Sequence, residues 1–230
     1  GFSKAGPWLT ALTRSCSIEV SDHLITILGH EALITTVVRA FYCMSRSIDV
    51  TVTYLETRAP AELVPARRST VGYALARVDE RVPEFARFLY TSVGGPWYWT
   101  DRLDWSYVEW QAHLARPEIH TWVGSTKGAP CGYFELQEEA GPEVQILAFG
   151  LLPQFIGRGL GGPLLTDAIR VAWSLGPRRV WVHTCTLDGP VALANYQARG
   201  LRIYKEESGR RELADAPPGP WPGAQAPQGR

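Results

Sequence analysis

The chain has little to commit it to a charged partner. Its 23 basic residues balance 23 acidic ones over 230 positions, so no summed field draws it to nucleic acid or an anionic membrane. Cysteine is scarce too: Cys16, Cys43, Cys131 and Cys185 form no C-x-x-C pair. That argues against a disulfide framework and a structural zinc site, and no metal is expected. A reducing, cytoplasmic setting follows. Long apolar runs are missing, since "ALITTVV" at Ala32–Val38 is far short of the ~20 residues a membrane helix needs. No Gly-Lys-Ser or Gly-Lys-Thr occurs, which removes the lysine and the magnesium-binding hydroxyl of a P-loop. What remains is a chain 45% hydrophobic, long enough for one sizeable core, with a small molecule or a single protein as its substrate.

Methionine occurs once, at Met44, just before the alternating "DVTVTYLE" of a half-buried strand. Residues 1–43 therefore read as an extension, with a docking helix in "EALITTVVRAFYC" as the alternative. Residues 44–215 read as the domain, and the Pro- and Gly-rich 216–230 as a disordered tail. Within the domain a second strand falls at Thr70–Val78. "PEFARFLYTSVG" at 83–94 and "DWSYVEWQAHLARP" at 104–117 predict helices, the latter capped by Asp104 with Trp105, Val108 and Leu114 on its apolar face. "IHTWVG" and "CGYFELQ" form a hairpin across "STKGAP". "EVQILAFGLL" is too apolar for an edge and belongs at the sheet centre. Leu160 to Leu175 recur at helical spacing; "RVWVHTC" is a strand, "GPVALANYQARG" a short helix and "LRIYKEES" a last strand.

Between the central strand and the long helix stand Gly157, Gly159, Gly161 and Gly162, with Arg158 among them. A strand entering such a turn and then a helix exposes unpaired N–H groups at the positive end of the helix dipole, a seat for phosphate. Gly157, Gly159 and Gly162 also satisfy the dinucleotide spacing, but no acid ends the next strand and too little chain follows for a doubly wound sheet.

"LLPQFIGRGLGGPLL" is similar to the acyl-CoA-binding motif of the GNAT superfamily of N-acyltransferases, an Arg/Gln-x-x-Gly-x-Gly/Ala turn. Ile156, Gly157, Arg158, Gly159, Leu160 and Gly161 occupy it, with isoleucine in place of the first Arg or Gln; Gln154 offers a second register. Downstream, Asp188, Ala192, Tyr196, Gly200 and Leu201 match the family's second segment. The resemblance spans about residues 48–205 and is strongest after Glu143, in a bacterial subgroup with "GYFEL", "FGLLPQFIGRGLG" and "WVHTCTLD". It implies an α/β fold with a mixed, mostly antiparallel sheet, splayed at the glycine turn and flanked by helices. It also implies acetyl-CoA as co-substrate and direct acetyl transfer to a primary amine of a small molecule or protein; a homodimer is the one candidate assembly. A non-catalytic acyl-CoA-binding module of the same fold is the alternative.

By the same resemblance, coenzyme A contacts fall at Phe149, Leu151, Leu152, residues 156–162, Asp188, Ala192 and Tyr196. Tyr196 is the candidate acid for the leaving thiolate; a phenol of pKa near 10 suits that task. The base is open. Gln145 stands where a glutamate is expected, leaving Glu135, Glu143, His183 or a water relay. Trp97 and Trp99, within the aromatic run from Trp97 to Trp110, and Gln145 are candidate acceptor contacts. Asp101, Asp104 and Glu109 are carboxylates that would hold a cationic acceptor or, equally, form a solvated face.

Overall fold

The computed structural model describes residues 45–67, 72–214 and 216–219. Two compact units, residues 1–46 and 47–230, divide the chain, and the second carries the site. The extension assigned to 1–43 and the tail past 219 lie outside the described residues.

The strands are β1 Ser45–Thr57, β2 Tyr73–Val78, β3 Ile119–Thr126, β4 Ala129–Glu139, β5 Glu143–Leu151, β6 Arg179–Cys185 and β7 Arg202–Ala214. The helices are α1 Pro83–Gly94, α2 Tyr107–Ala115, α3 Gly161–Ser174 and α4 Ala192–Ala198. One seven-stranded sheet runs β2-β3-β4-β5-β6-β1-β7, with β5 fourth. The pairs β2/β3, β3/β4, β4/β5 and β1/β6 are antiparallel, and β5/β6 is parallel. This is the mixed, mostly antiparallel α/β sheet expected from the sequence, and it is incompatible with a doubly wound nucleotide fold.

Each face of the sheet buries one helix. Leu164, Leu165, Ala168, Ile169 and Ala172 of α3 recur at helical spacing and pack on Leu55, Phe134, Leu136, Val144, Ile146, Val180 and Val182. On the other face, Leu89 and Val93 of α1 meet Val123, Tyr133 and Ala148. Each such aliphatic side chain stabilises the fold by about 1.5–3 kcal/mol when fully buried.

Two expectations need correction. Helix α2 begins at Tyr107 with Ser106, not Asp104, as its cap. Only Ser106 has a glutamate three residues on: its Oγ accepts from Glu109 N–H at 3.3 Å, and its own N–H donates to Glu109 Oε2 at 2.6 Å, a reciprocal capping box. The apolar face differs as well, for Trp110 and His113 are buried while Val108 is 69% exposed. Strand β7 runs six residues past Ser208, to Ala214. The added residues carry no strand signal because they are polar and mostly exposed, with only Arg211 and Leu213 half-buried; what holds the strand is β1. Thr51 Oγ1 and Ser208 Oγ share a 2.8 Å hydrogen bond, and Thr53 Oγ1 donates to Glu206 Oε1 at 3.1 Å, so the two strands run antiparallel.

Candidate active site

The site begins where the sheet fails to close. Strand β4 pairs with β5 from Glu139/Glu143 to Gly132/Leu151. On its other side β5 pairs with β6 only at Glu143/Arg179, Val144/Val180 and Gln145/Trp181. The register of β4 on β5 slips between Glu135/Ala148 and Leu136/Ile146, so Leu147 is an extra residue that bends β5 away. Beyond Gln145 the backbone groups of β5 that face β6 have no ladder partner, and the two strands part toward their carboxyl ends. Phe149 to Leu152 lie on that open edge, where an extended amide-bearing chain can pair as a strand would.

At the mouth of the opening, Pro153–Phe155 makes a 3-10 turn, followed by the glycines. Gly157 and Gly159 have φ of +78° and +75°, and no atom lies within 4 Å of where a Cβ would sit on either. Both features favour glycine, and both leave room for an anion against the backbone. Helix α3 then starts at Gly161 without a side-chain cap. Among the described residues the N–H groups of Gly159, Leu160, Gly161 and Gly162 donate to no carbonyl, and Pro163 has no N–H to satisfy. Leu160 anchors this end of the helix, 5% exposed, while Ile156 is 41% exposed at the turn. The Arg158 guanidinium lies over Phe155 at 5.0 Å.

Sequence reasoning missed a second arginine. The Arg199 guanidinium reaches Gly162, 2.7 Å from where a Cβ there would sit, and its one hydrogen bond is to the neighbouring Ala198 carbonyl. A cation beside the positive end of a helix is unfavourable unless an anion joins them. The turn, the open N–H groups and two arginines therefore fit a phosphate-bearing ligand such as coenzyme A. Helix α4 buttresses the turn, with Asn195 Nδ2 donating to the Gly161 carbonyl at 3.4 Å.

Tyr196, on α4, is 6% exposed and packs edge-to-face on Phe149 at 5.9 Å; Ala192 and Leu151 border the same cluster. Burial pushes the Tyr196 hydroxyl well above its ordinary range, and it makes no hydrogen bond to the described residues. Asp188, matched to the coenzyme segment, has its carboxylate engaged: Oδ2 accepts from Thr184 Oγ1 at 2.6 Å and from Cys185 N–H at 2.9 Å, closing the β6–α4 turn.

Of the three candidate bases, Glu143 starts β5 and accepts from Arg179 Nη1 at 3.0 Å, and the other two sit in different surroundings. Glu135 is 2% exposed, and one of its oxygens takes both Arg102 Nη1 at 2.8 Å and His113 Nε2 at 3.1 Å. Burial alone would raise its carboxyl, but Arg102 and His113 outweigh it and hold the group below the usual range. Arg102 is also ringed by Tyr90, Trp105 and Trp110, 5.1 to 5.9 Å from its guanidinium carbon. It is the lone basic residue between Trp97 and Trp110, the one signal by which sequence could have found this cluster. His183 lies two residues past the last β5/β6 pair, on the face of β6 opposite α3. Burial lowers its pKa, so the ring is neutral at pH 7, and its Nδ1 is 3.4 Å from Gln145 Nε2.

The aromatic run divides. Trp97 stands against the β6–α4 loop, 3.4 Å from where a Gly189 Cβ would sit. Trp99 packs into the space left by Gly94 and against Tyr90 at 5.5 Å. Trp110 is core, 2% exposed. Among the described residues no three His, Cys, Asp or Glu side chains cluster as metal ligands, and no helix is long and apolar enough to cross a membrane.

The family model described as "Acetyltransferase (GNAT) family" matches residues 67–201. Among solved structures, a GCN5-related N-acetyltransferase from Kribbella flavida is similar with a TM-score of 0.53 and 18% identity, over 75% of this chain and 60% of its own. One from Sphaerobacter thermophilus gives 0.53 and 17%, over 83% and 57%. The chain thus spans a little under two thirds of either relative. No curated protein matches the sequence. On the family match, with the splayed sheet and its glycine turn, the chain belongs to the GNAT acetyltransferase family.

Proposed function

We propose that the protein transfers an acetyl group from acetyl-CoA directly to a primary amine of a small molecule or protein. The observation that carries this reading is the placing of an uncapped, glycine-lined helix N-terminus at the mouth of the β5/β6 opening. Residues 157–162 with Arg158 and Arg199 would hold the phosphates, and the free edge of β5 from Phe149 to Leu152 the amide-bearing arm. Acetyl-CoA supplies an activated thioester there, so the protein's task is alignment of amine and carbonyl, stabilisation of developing charge and management of protons.

Tyr196 keeps its proton at any ordinary pH because its hydroxyl is buried, which makes it a lasting O–H donor toward a departing sulfur. Tyr196→Phe is expected to leave acetyl-CoA affinity within about twofold and to lower kcat by about 10²-fold or more, the usual range for a lost general acid. Calorimetry beside steady-state thiol release checks this, and equal turnover would reduce Tyr196 to packing. For the proton leaving the amine, His183 is the better candidate: it is a neutral imidazole beside Gln145 where β5 and β6 part, whereas Glu135 is committed to Arg102.

A second reading, an acyl-CoA-binding module without turnover, is favoured by one observation: Gln145 occupies the central-strand position expected for a carboxylate, and Glu135 is locked in an ion pair. Isothermal calorimetry against acetyl-CoA, with NADH and ATP as controls, tests both. Selective binding of acetyl-CoA is expected, and its absence would overturn the phosphate-cradle assignment. Thiol release across an amine panel then separates enzyme from module.

A further inference from the structure

Strand β7 carries a cation that the acyl-transfer reading does not use. On β1, Val52 faces Cys185 and Tyr54 faces His183. On β7, Glu207 Oε2 accepts from the Tyr54 hydroxyl at 2.8 Å, and Arg210 reaches Asp49 at 3.9 Å. Arg211, four positions past Glu207, thus shares the face of Tyr54, His183 and Cys185, opposite to α3 and its phosphate turn. The end of β7 is pinned to the loop after α1: the Tyr98 hydroxyl donates to the Ala214 carbonyl at 3.1 Å, and Gly219 N–H donates to the Gly95 carbonyl at 3.3 Å. Arg211 therefore stands beside that loop, on the same sheet face as His183 and with β1 between it and β6.

Three other half-buried arginines have anionic partners: Arg102 has Glu135, Arg116 has Glu118 and Arg179 has Glu56 and Glu143; the fourth, Arg199, pairs with no carboxylate among the described residues but lies at the phosphate turn. Arg211 is half-buried and makes neither an ion pair nor a hydrogen bond with any described residue. A partly desolvated guanidinium without a counter-charge is unfavourable. Its planar fork matches a carboxylate through two parallel hydrogen bonds. Its charge is felt at Asp101, His183 and Cys185, so it belongs to that cluster. Asp101, exposed on the facing loop, offers the opposite sign without pairing with Arg211. A site presenting one cation and one separate carboxylate suits a ligand with both charges.

Resting on the acyl-transfer reading, we propose that Arg211 binds the carboxylate of the acceptor, so that the amine acylated here belongs to an amino acid. The amino group is then held toward the β5/β6 opening, with Asp101 drawing in its ammonium form before the proton is lost. The test uses the full chain with acetyl-CoA and compares free amino acids with their carboxamides in a thiol-release assay. The free acids are expected to be preferred by about tenfold or more, the scale of one charge-assisted contact. Arg211→Ala should erase that preference by raising the acceptor KM, with acetyl-CoA half-saturation unmoved, and Arg211→Lys should restore part of it. A parallel calorimetric titration of the same acids and amides into coenzyme A-loaded protein keeps this claim separate from catalysis. Arg211-dependent binding of acids without thiol release would uphold Arg211 as the carboxylate site and overturn the transferase reading. Equal response to acids and amides, a preference that survives Arg211→Ala, or no binding of either would overturn the proposal.

Discussion

Gly159→Asp is expected to weaken acetyl-CoA binding about a thousandfold while the protein still folds. The turn holds no anion of its own, and the aspartate would set a carboxylate among the N–H groups assigned to the pyrophosphate. Two unit charges about 4 Å apart near a protein surface repel by about 4 kcal/mol, close to three powers of ten in affinity. Folding should survive because a Cβ at Gly159 meets nothing within 4 Å. The cost of an L-residue at φ +75° is roughly 1–2 kcal/mol, and Asp tolerates that region better than most. Gly159→Ala carries the backbone strain without the charge and should lose far less affinity. Calorimetry beside a thermal melt separates the two effects; similar losses for Ala and Asp would mean that backbone conformation, and not charge, governs the turn.

Glu135→Ala is expected to cost about 3–5 kcal/mol of stability, the usual result of removing one partner from a buried ion pair. For a unit of this size that lowers Tm by about 6–20 °C. Arg102 would be left among Tyr90, Trp105 and Trp110 with no anion within reach. Arg102→Met should be similarly damaging, because it strands the carboxylate. The double variant Glu135→Leu with Arg102→Met should be less destabilised than the sum of the two, and that non-additivity is the measurement to make. Additive losses would show that the pair is uncoupled. The pH dependence has a definite sign. The folded Glu135 carboxyl lies below its unfolded value, so its contribution is present above the ordinary carboxylate range and is lost as pH falls through the lowered value.

Elements whose signal is local were legible in the sequence. Helix α1 begins at Pro83 and ends at Gly94 as its punctuation suggests, β6 spans "RVWVHTC", and the glycine turn joins β5 to α3 as its spacing implies. What escaped depends on partners distant in sequence. The length of β7 is set by β1, and the polar, mostly exposed end of an edge strand carries no hydrophobic alternation to betray it. The ion cluster joins Arg102 in a loop, His113 on a helix and Glu135 on a strand, and no spacing rule unites them. Arg199 and Arg211 gain their meaning only from where α4 and β7 dock. The capping of α2 was readable, since Ser106-x-x-Glu109 is a local motif that outranks a lone aspartate.

The insertion of β1 between β6 and β7 bears on how the molecule is made. Thr53 bonds Glu206 across 153 positions, so the earliest strand of the sheet has no neighbour until almost the whole domain has left the ribosome. Contacts of such separation slow folding because chain entropy is lost before any pairing compensates for it. The segment β2 to α3, whose hairpin and helix contacts are nearer in sequence, can collapse first. The nascent chain must then keep "SRSIDVTVTYLET" from pairing elsewhere, and its late closure completes the wall of the opening that β6 begins.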